Sequence, residues 1–243
     1  MTDARFSFGP VSCDKCWRDK ASSQEHGAFR LVRDPGYWGS ANPRMLILGM
    51  SKGNTQSNAY LTGTFEKVAF AGIRPRLLQI LQSITLLADE TPDRFERRFC
   101  EQEQDLAFAS VVRCSLTGWN NAKSAHTADS PVVVPAFKQS SPGFTWVSNC
   151  VERHLASLPS RTELVILLGN TPAYMKALRR ILDQKRGPSQ TINDVAFRSN
   201  GVLFVHVGHP SKGNGHFNAF LDGKGIAGGK RDLARAALTG VAI

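Results

Sequence analysis

Four short apolar runs constrain the fold of this chain more than any other feature of its sequence. They occupy residues 45–49, 106–112, 164–169 and 202–207. Each run is almost free of polar side chains and lacks the alternation expected of a strand with one solvated face. Continuous runs of this length are typical of strands that are buried on both faces. The sequence therefore predicts four buried strands.

Segments with helical periodicity separate these runs. After Pro75, apolar side chains recur on one helical face; they are Leu77, Leu78, Ile80, Leu81, Ile84 and Leu87. Further helices are predicted at residues 144–157, 172–186 and 230–239, and an exposed helix or connector at 89–104. Strands that alternate with helices indicate a parallel sheet with helices on both faces. The predicted fold class is α/β, a three-layer α/β/α sandwich on a four-stranded, mostly parallel sheet.

The whole chain, residues 1–243, is expected to form one domain, because α/β domains often exceed about 200 residues. Residues 1–43 are rich in Gly, Pro and polar side chains, which predicts a loop-rich N-terminal segment. Residues 115–143 predict a long loop, and such loops are usually functional or disordered. A further loop is expected from Ser51 to about Thr64, and a Gly-rich segment at residues 213–229 leads to the last helix.

The net charge of +10 is concentrated near the C-terminus. From Lys176 onward there are eleven Lys and Arg residues against four Asp and no Glu, which is +7. Such a surface suits a polyanion, because phosphate contacts supply most non-specific affinity for nucleic acids; a merely soluble basic surface is the alternative. No run reaches the roughly 18–20 apolar residues of a membrane span, and the first residues lack a signal-peptide pattern. We therefore expect a soluble, cytoplasmic protein.

Two of the predicted strands end in sequences that suit a binding site. The last run continues into Gly208-His209-Pro210-Ser211, and the first into Met50-Ser51-Lys52-Gly53 after Gly49. In open parallel sheets, ligands bind at the carboxyl ends of the strands. If both strands belong to one sheet, these two ends form one site.

Five blocks of the sequence, in this order, resemble the uracil-DNA glycosylase superfamily, most closely its iron–sulfur-containing branches. The blocks are Cys13-x-x-Cys16; Gly49-Met50-Ser51-Lys52-Gly53; Phe70-Ala71-Gly72 with Leu77-Leu78; Ser110-Val111-Val112-Arg113-Cys114; and Leu167-Leu168-Gly169 with His209-Pro210-Ser211. The resemblance extends from Cys13 to about Ser211. It implies a uracil-DNA glycosylase-like fold and a site that receives a base flipped out of DNA.

The resemblance assigns roles to residues at both strand ends. Phe70 becomes the platform on which the base stacks, while Gly49, Met50 and Ser110 line the rest of the pocket. Core packing is the alternative role for Phe70. His209 resembles the histidine that donates a hydrogen bond to uracil O2, where negative charge develops as the glycosidic bond breaks. A capping or structural role is the alternative for His209.

Contacts with DNA are expected around the same turn. Ser211 and the amides that follow it are placed to bind a phosphate, and Lys212 and Lys52 are expected to contact DNA. His206 precedes His209 on the same strand and should point to the opposite face of the sheet, so we exclude it from the site.

The first motif departs from the superfamily at the residue that positions the attacking water. Most members have Asp or Asn in this motif, and one branch uses a nearby Glu, whereas this chain has Met50, Ser51 and Lys52. Counting from Gly49, the position of that Glu falls on Gln56. An amide can orient a water, and a dissociative transition state needs electrostatic support more than a strong nucleophile. Gln56 or Ser51 is therefore expected to position the water.

Ser110 stands where the superfamily has an Asn that reads the uracil edge by a two-point contact. A serine offers one hydroxyl. Either Asn120, Asn121 or a backbone group reads the edge instead, or the base preference is relaxed.

The chain contains five cysteines, and their odd number without a signal pattern argues against a disulfide framework. By the resemblance, Cys13, Cys16, Cys114 and Cys150 form a four-thiolate site and Cys100 is spare. Four thiolates suit a [4Fe–4S] cluster, which we expect, or zinc. Unliganded thiols are the remaining possibility, because the segment between Cys114 and Cys150 is longer than the resemblance implies.

The function expected from these residues is that of a monofunctional DNA glycosylase. It would hydrolyse the N-glycosidic bond of uracil in DNA and so initiate base-excision repair, acting as a monomer without a membrane partner. One alternative is a glycosylase for another deaminated base, such as hypoxanthine or xanthine. Another is a non-catalytic member of the fold that binds uracil or abasic DNA.

Overall fold

The computed structural model describes residues 6–17 and 19–241. The strands within these ranges are β1 (Gly9–Pro10), β2 (Ser23–His26), β3 (Phe29–Val32), β4 (Gly36–Gly39), β5 (Met45–Ser51), β6 (Leu106–Val112), β7 (Ser115–Asn120), β8 (Ala125–Thr127), β9 (Leu164–Leu168), β10 (Gln190–Asn193), β11 (Ala196–Ser199) and β12 (Val202–Val207). The α-helices are α1 (Asn54–Thr62), α2 (Arg74–Ser83), α3 (Pro92–Arg97), α4 (Ser130–Val133), α5 (Phe144–Leu155), α6 (Pro172–Arg186), α7 (Phe217–Asp222) and α8 (Gly225–Ala237). The chain is therefore a mixed α/β protein.

The four predicted apolar runs form the centre of the main sheet. They are β6, β5, β9 and β12, in this spatial order, and each pairs with its neighbour in parallel. Nearly every residue of these strands is buried, because helices cover both faces. Parallel pairing brings all four carboxyl ends to one edge of the sheet. The two strand ends singled out in the sequence therefore lie on the same edge, separated by β9.

The main sheet is larger than predicted, so the expectation of four strands is wrong. Antiparallel strands extend it at both sides, giving eight strands in the order β1-β4-β6-β5-β9-β12-β11-β10. The added strands are two to four residues long. β10 reads Gln-Thr-Ile-Asn and is mostly exposed, so it carries no apolar run that could identify it.

Helices pack on both faces of the sheet, as the alternation of strands and helices predicts. α5 and α6 bury one set of apolar side chains against one face, including Val147, Val151 and Leu178. α2, α3, α7 and α8 cover the other face, where Leu77 and Phe220 are among the buried side chains. The three-layer arrangement is thus present. Within the described part of the chain, no helix is long and apolar enough to cross a membrane.

A second, antiparallel sheet replaces two segments that were predicted as loops. It has the order β2-β3-β7-β8 and combines the N-terminal segment with residues 115–127. The loop predicted at residues 115–143 is therefore largely ordered structure, since α4 also lies within it. Further helices were not predicted: α1 lies in the expected 51–64 loop and α7 in the Gly-rich segment.

Candidate functional site

Gly49, Phe70 and Ser110 meet at the carboxyl edge of the sheet. Gly49 and Ser110 are paired across β5 and β6. A Cβ atom built on Gly49 would lie 3.4 Å from Phe70 Cε1 and 3.4 Å from Ser110 Oγ. We call these three residues the glycine niche. All three were predicted from the sequence as base-binding residues, and the structure brings them together.

Phe70 adopts a backbone conformation that is rare for an aromatic residue. Its φ is 53°, in the left-handed region that bulky side chains avoid. The Phe70 amide donates a hydrogen bond to Gln56 Oε1 at 3.0 Å, which helps to hold this conformation. Its side chain is only 3% exposed and lies edge-on to Phe108 at 6.4 Å between ring centroids. Strain of this kind persists where the surrounding structure fixes it, and it concentrates at functional sites.

His209 follows β12 and is fixed by its own turn. The Ser211 amide donates to His209 Nδ1 at 3.1 Å, and the Asn214 side-chain amide donates to the His209 carbonyl at 2.7 Å. Burial lowers the pKa of His209 to about 4, so the ring is neutral near pH 7. Because Nδ1 accepts a hydrogen bond, the ring proton is assigned to Nε2. His209 therefore offers a neutral N–H donor.

Arg76 joins the two sides of the site, and sequence reasoning missed it. From the first turn of α2, its Nε donates to the Pro210 carbonyl at 2.7 Å and its Nη2 to the Ser211 carbonyl at 3.1 Å. Its guanidinium also stacks over Phe217, 3.5 Å from the ring centroid. Because α2 begins just after Phe70, Arg76 couples the position of the niche to that of the His-Pro-Ser turn. No pattern in the sequence identifies this contact.

His206 faces away from this site, as predicted. Its Nδ1 lies 2.8 Å from the Gly169 carbonyl, and its ring meets Tyr174 of α6 edge-on at 5.6 Å. Burial lowers the pKa of His206 to about 4. His206 borders a cavity of about 820 Å³ between α6 and β11, which contains none of the predicted base-binding residues.

Lys52 is buried rather than exposed at the surface, which corrects the expectation that it contacts DNA. Its side chain is 1% exposed, and Nζ lies 3.1 Å from Asp34 Oδ1. Burial lowers the pKa of Lys52, although the Asp34 carboxylate opposes the shift. Asp34 also accepts hydrogen bonds from the Ser115 amide and hydroxyl, at 2.8 and 2.7 Å. The pair therefore links the end of β5 to the second sheet.

The hydroxyl of Ser51 is engaged with the backbone. Its Oγ accepts from the Leu116 amide at 2.7 Å and lies within 3.3 Å of the carbonyls of Cys114 and Leu116. Ser51 thus fastens β5 to β7. Met50 is likewise a core residue whose side chain is buried on the α5 and α6 face, so it can line a pocket only through its backbone.

The remaining polar candidates lie at the periphery. Lys212 is exposed beside Ser211, and a Cβ on the neighbouring Gly213 would meet nothing within 4 Å, so this turn is open. Asn120 accepts from the Lys123 amide at 3.3 Å and donates to Asp129 at 3.2 Å. These contacts commit Asn120 to the second sheet.

Four of the five thiols share one neighbourhood. Burial, with contributions from the nearby Cys16 and Cys13, raises the pKa of Cys150 to about 12. Burial likewise raises the pKa of Cys114, with a contribution from Cys150, and that of Cys16, with a contribution from Cys13. Cys150 comes close to Cys114 because α5 packs against β6. The inserted second sheet therefore does not separate them.

The thiols are not already arranged as a metal site. Residues 6–17 and 19–241 contain no group of three or more His, Cys, Asp or Glu side chains placed to hold a metal ion. Hydrogen-bond donors are nevertheless directed at three of the four sulfurs. The Asn149 amide lies 3.6 Å from Cys16 Sγ, and the backbones of Arg113 and Asp34 hydrogen-bond to Cys150 and Cys114. These donors favour the thiolate form, which metal binding requires.

Comparisons with known proteins add no assignment: no protein-family model matches the chain, and no curated protein does. What the site can do is therefore argued from its own geometry. The sheet edge combines Phe70, an aromatic residue with a strained backbone, with Gly49, which leaves space beside the ring, and with the neutral imidazole donor of His209. This combination suits a planar ligand with a carbonyl oxygen.

Proposed function

We propose that this protein is a DNA glycosylase that hydrolyses the N-glycosidic bond of uracil in DNA. The observation that carries the proposal is the common sheet edge on which the glycine niche and His209 lie. One strand separates β5 from β12, so their ends are about 10 Å apart at the usual strand spacing. A flipped pyrimidine fits between a stacking side chain on one side and a donor on the other.

His209 would act on the leaving group. As the glycosidic bond lengthens, negative charge develops on the base, and an N–H donor aimed at O2 stabilises this charge more than the ground state. A neutral imidazole does this without having to be protonated. The pKa of about 4 keeps His209 neutral throughout the physiological range. Arg76 and Asn214 would hold the turn that aims the ring.

Gln56 is the better of the two candidates for positioning the attacking water. Its Oε1 is fixed by the Phe70 amide, while its Nε2 has no hydrogen-bond partner in the described part of the chain. The Ser51 hydroxyl, in contrast, is committed to the backbone around β7. An amide cannot remove a proton from the water. The reaction would therefore depend on leaving-group stabilisation at His209.

The basic surface would supply the DNA affinity. The net charge of +10 and the exposed Lys212 beside the His-Pro-Ser turn suit phosphate contacts on either side of a flipped nucleotide. The amides around Ser211 are only partly available, because the Ser211 amide already donates to His209.

Cys13, Cys16, Cys114 and Cys150 would hold a [4Fe–4S] cluster or zinc. The donor set fits either group, since both prefer thiolates, and N–H donors already point at three of the sulfurs. When bound, the metal centre would cross-link the N-terminal segment to α5 and to the end of β6. Cys16, Cys114 and Cys150 pack with the core on the α5 and α6 side of the sheet. A metal centre held by them would therefore take no part in bond cleavage.

A glycosylase for hypoxanthine or xanthine is a second candidate. The hydroxyl of Ser110 lies beside Gly49, with its Oγ 3.4 Å from a Cβ built on that glycine. A single hydroxyl makes one contact with the base edge, which discriminates less than the two-point contact of an amide. This observation favours a relaxed base preference.

The deciding experiment is a single-turnover excision assay on duplexes that contain uracil, hypoxanthine or xanthine, with an undamaged duplex as control. Abasic product from the uracil duplex, lost in His209→Ala, supports the proposal. Excision confined to the purines supports the second candidate. Tight binding of uracil or abasic duplexes without cleavage by folded protein would reject the enzyme and leave a binding protein.

A further inference from the structure

Arg113 is a buried cation without a partner. It directly follows β6, its side chain is 1% exposed, and none of its three guanidinium nitrogens has a hydrogen-bond partner among residues 6–17 and 19–241. Its nearest described interaction is with the face of Tyr37, whose ring centroid lies 5.4 Å from the guanidinium carbon. Arginine is not deprotonated in proteins, so this buried group carries a full positive charge at neutral pH.

Other buried cations of the chain are compensated. Lys52 lies 3.1 Å from Asp34, and Arg74 pairs with Glu96 at 2.5 Å. Arg186 donates to the Leu155 carbonyl at 2.6 Å. A buried charge without such partners is strongly unfavourable, and polar groups in protein interiors are nearly always paired. The guanidinium of Arg113 therefore needs a negative charge beside it, which neutral thiols do not provide.

Three of the thiols lie near this cation. Cys150 and Cys13 are close enough that their thiolate forms would interact with the Arg113 guanidinium, and the Arg113 backbone hydrogen-bonds to the Cys150 thiol. Cys114 is the next residue in the chain and interacts with Cys150. As neutral thiols, these groups leave the guanidinium uncompensated. Four thiolates around Zn²⁺ or an oxidised [4Fe–4S] core carry a net negative charge, because the metal centre offsets only part of theirs.

We propose that Arg113 is the buried countercharge of an anionic metal centre held by Cys13, Cys16, Cys114 and Cys150. This inference rests on the metal-binding part of the proposed function and is independent of base excision. Arg113 is a positioning residue, since it acts through the thiolates. A fixed positive charge at this place stabilises the more negative, reduced state of a cluster, and thereby raises its reduction potential. It also strengthens retention of zinc.

The test uses the full-length protein, reconstituted anaerobically with iron and sulfide, and two neutral variants, Arg113→Met and Arg113→Gln. Arg113→Lys keeps the charge, and Arg186→Met is the matched control for loss of a buried guanidinium elsewhere. Iron and sulfide content, visible absorbance and the midpoint potential are measured, the last by EPR-monitored titration with dithionite as the electron donor. Thermal unfolding and circular dichroism establish that each variant is folded.

We expect each folded neutral variant to favour the oxidised cluster at least tenfold more than the wild type does, a shift of about −59 mV for one electron. Arg113→Lys and Arg186→Met should keep the wild-type potential. Folded neutral variants that fail to load a cluster, while Arg113→Lys loads normally, also support the countercharge. If the wild type takes zinc instead, competition with a chelator should show at least tenfold weaker retention in the neutral variants.

Equal loading and an unchanged potential in the neutral variants would overturn the inference, as would a wild-type protein that retains neither iron nor zinc. Unfolding of both neutral variants in the metal-free protein would also overturn it, because Arg113 would then serve the fold without a metal. None of these results bears on uracil excision, which is measured separately, so failure of the inference and failure of the proposed activity can be told apart.

Discussion

Gly49 lies directly opposite Ser110 in the parallel pairing of β5 with β6, and the space between its Cα and the Ser110 hydroxyl exists because residue 49 has no side chain. Phe70 borders the same space, held there in a left-handed conformation. Two of these residues come from adjacent strands and the third from the turn before α2. Their meeting point is the place on the sheet edge where the proposed function seats the base.

Gly49→Ala should abolish most of the activity while leaving the fold intact. The new methyl group would lie 3.4 Å from both Phe70 Cε1 and Ser110 Oγ, an ordinary packing distance that the fold tolerates but that fills the niche. Displacing a flipped base by about 1 Å can cost on the order of 100-fold in rate. Single-turnover excision and the melting temperature are measured together. Gly229→Ala, in α8, where a Cβ meets nothing within 4 Å, is the control. Full activity in Gly49→Ala would remove the niche from the site.

His209→Ala should lower the single-turnover rate by about 2–4 kcal/mol in activation free energy, the usual cost of a lost oxyanion donor. The rate should not fall between about pH 8 and 5, since the pKa of His209 is about 4 and the neutral donor persists over that range. Single-turnover rates of the wild type and of His209→Ala on the uracil duplex, measured from pH 8 to pH 5, check both statements. Normal cleavage by His209→Ala would show that another group supports the leaving base.

The central sheet could be predicted because continuous apolar runs have few alternatives to a buried strand. The edge strands could not be predicted, for example β10, whose four residues are mostly polar and exposed. The second sheet escaped prediction for a related reason: β2 reads Ser-Gln-Glu-His, without an apolar residue. Its existence depends on pairing with β3 and β7, which is a tertiary contact.

The candidate site shows the same division. Gly49, Phe70 and Ser110 were recognised from local motifs, and the structure brings them together. The prediction for Lys52 was wrong because its partner, Asp34, lies between β3 and β4, far from Lys52 in the sequence. No local pattern reveals that the two side chains are buried together. Arg76 was missed because its two acceptors are backbone carbonyls more than a hundred residues away in sequence.

Gln56→Leu should reduce the excision rate by about 10- to 100-fold, and Gln56→Glu should retain or exceed the wild-type rate. The leucine leaves the buried Phe70 amide without its acceptor, a loss worth about 1–3 kcal/mol, and cannot orient water. The glutamate keeps an acceptor for that amide and adds a group able to act as a base. Comparison of the two variants separates water positioning from support of Phe70. An equal loss of rate in both variants would show that Gln56 does not position the attacking water.

Lys212→Ala should weaken DNA binding to all sequences and reduce the slope of log affinity against log salt by about 1, as expected for one lost phosphate contact. Fluorescence anisotropy over a salt series measures this slope. Lys138→Ala removes another exposed lysine, one that lies beside α6, and should leave the slope unchanged. An unchanged slope in Lys212→Ala would place the DNA elsewhere.

The free energy of unfolding should fall as the pH drops from about 6.5 to 4, since that is the window between the ordinary and the folded-state pKa of two buried histidines. His206 and His209 both have a folded pKa of about 4, so in this window the unfolded chain binds protons that the folded one excludes. The loss between pH 7 and pH 5 is about 2 kcal/mol for each histidine. Urea denaturation at the two pH values should show a smaller loss in His206→Gln than in the wild type, and no such change in the exposed control His216→Gln. A wild-type pH dependence in His206→Gln would mean that His206 takes up its proton as readily in the folded protein as in the unfolded chain.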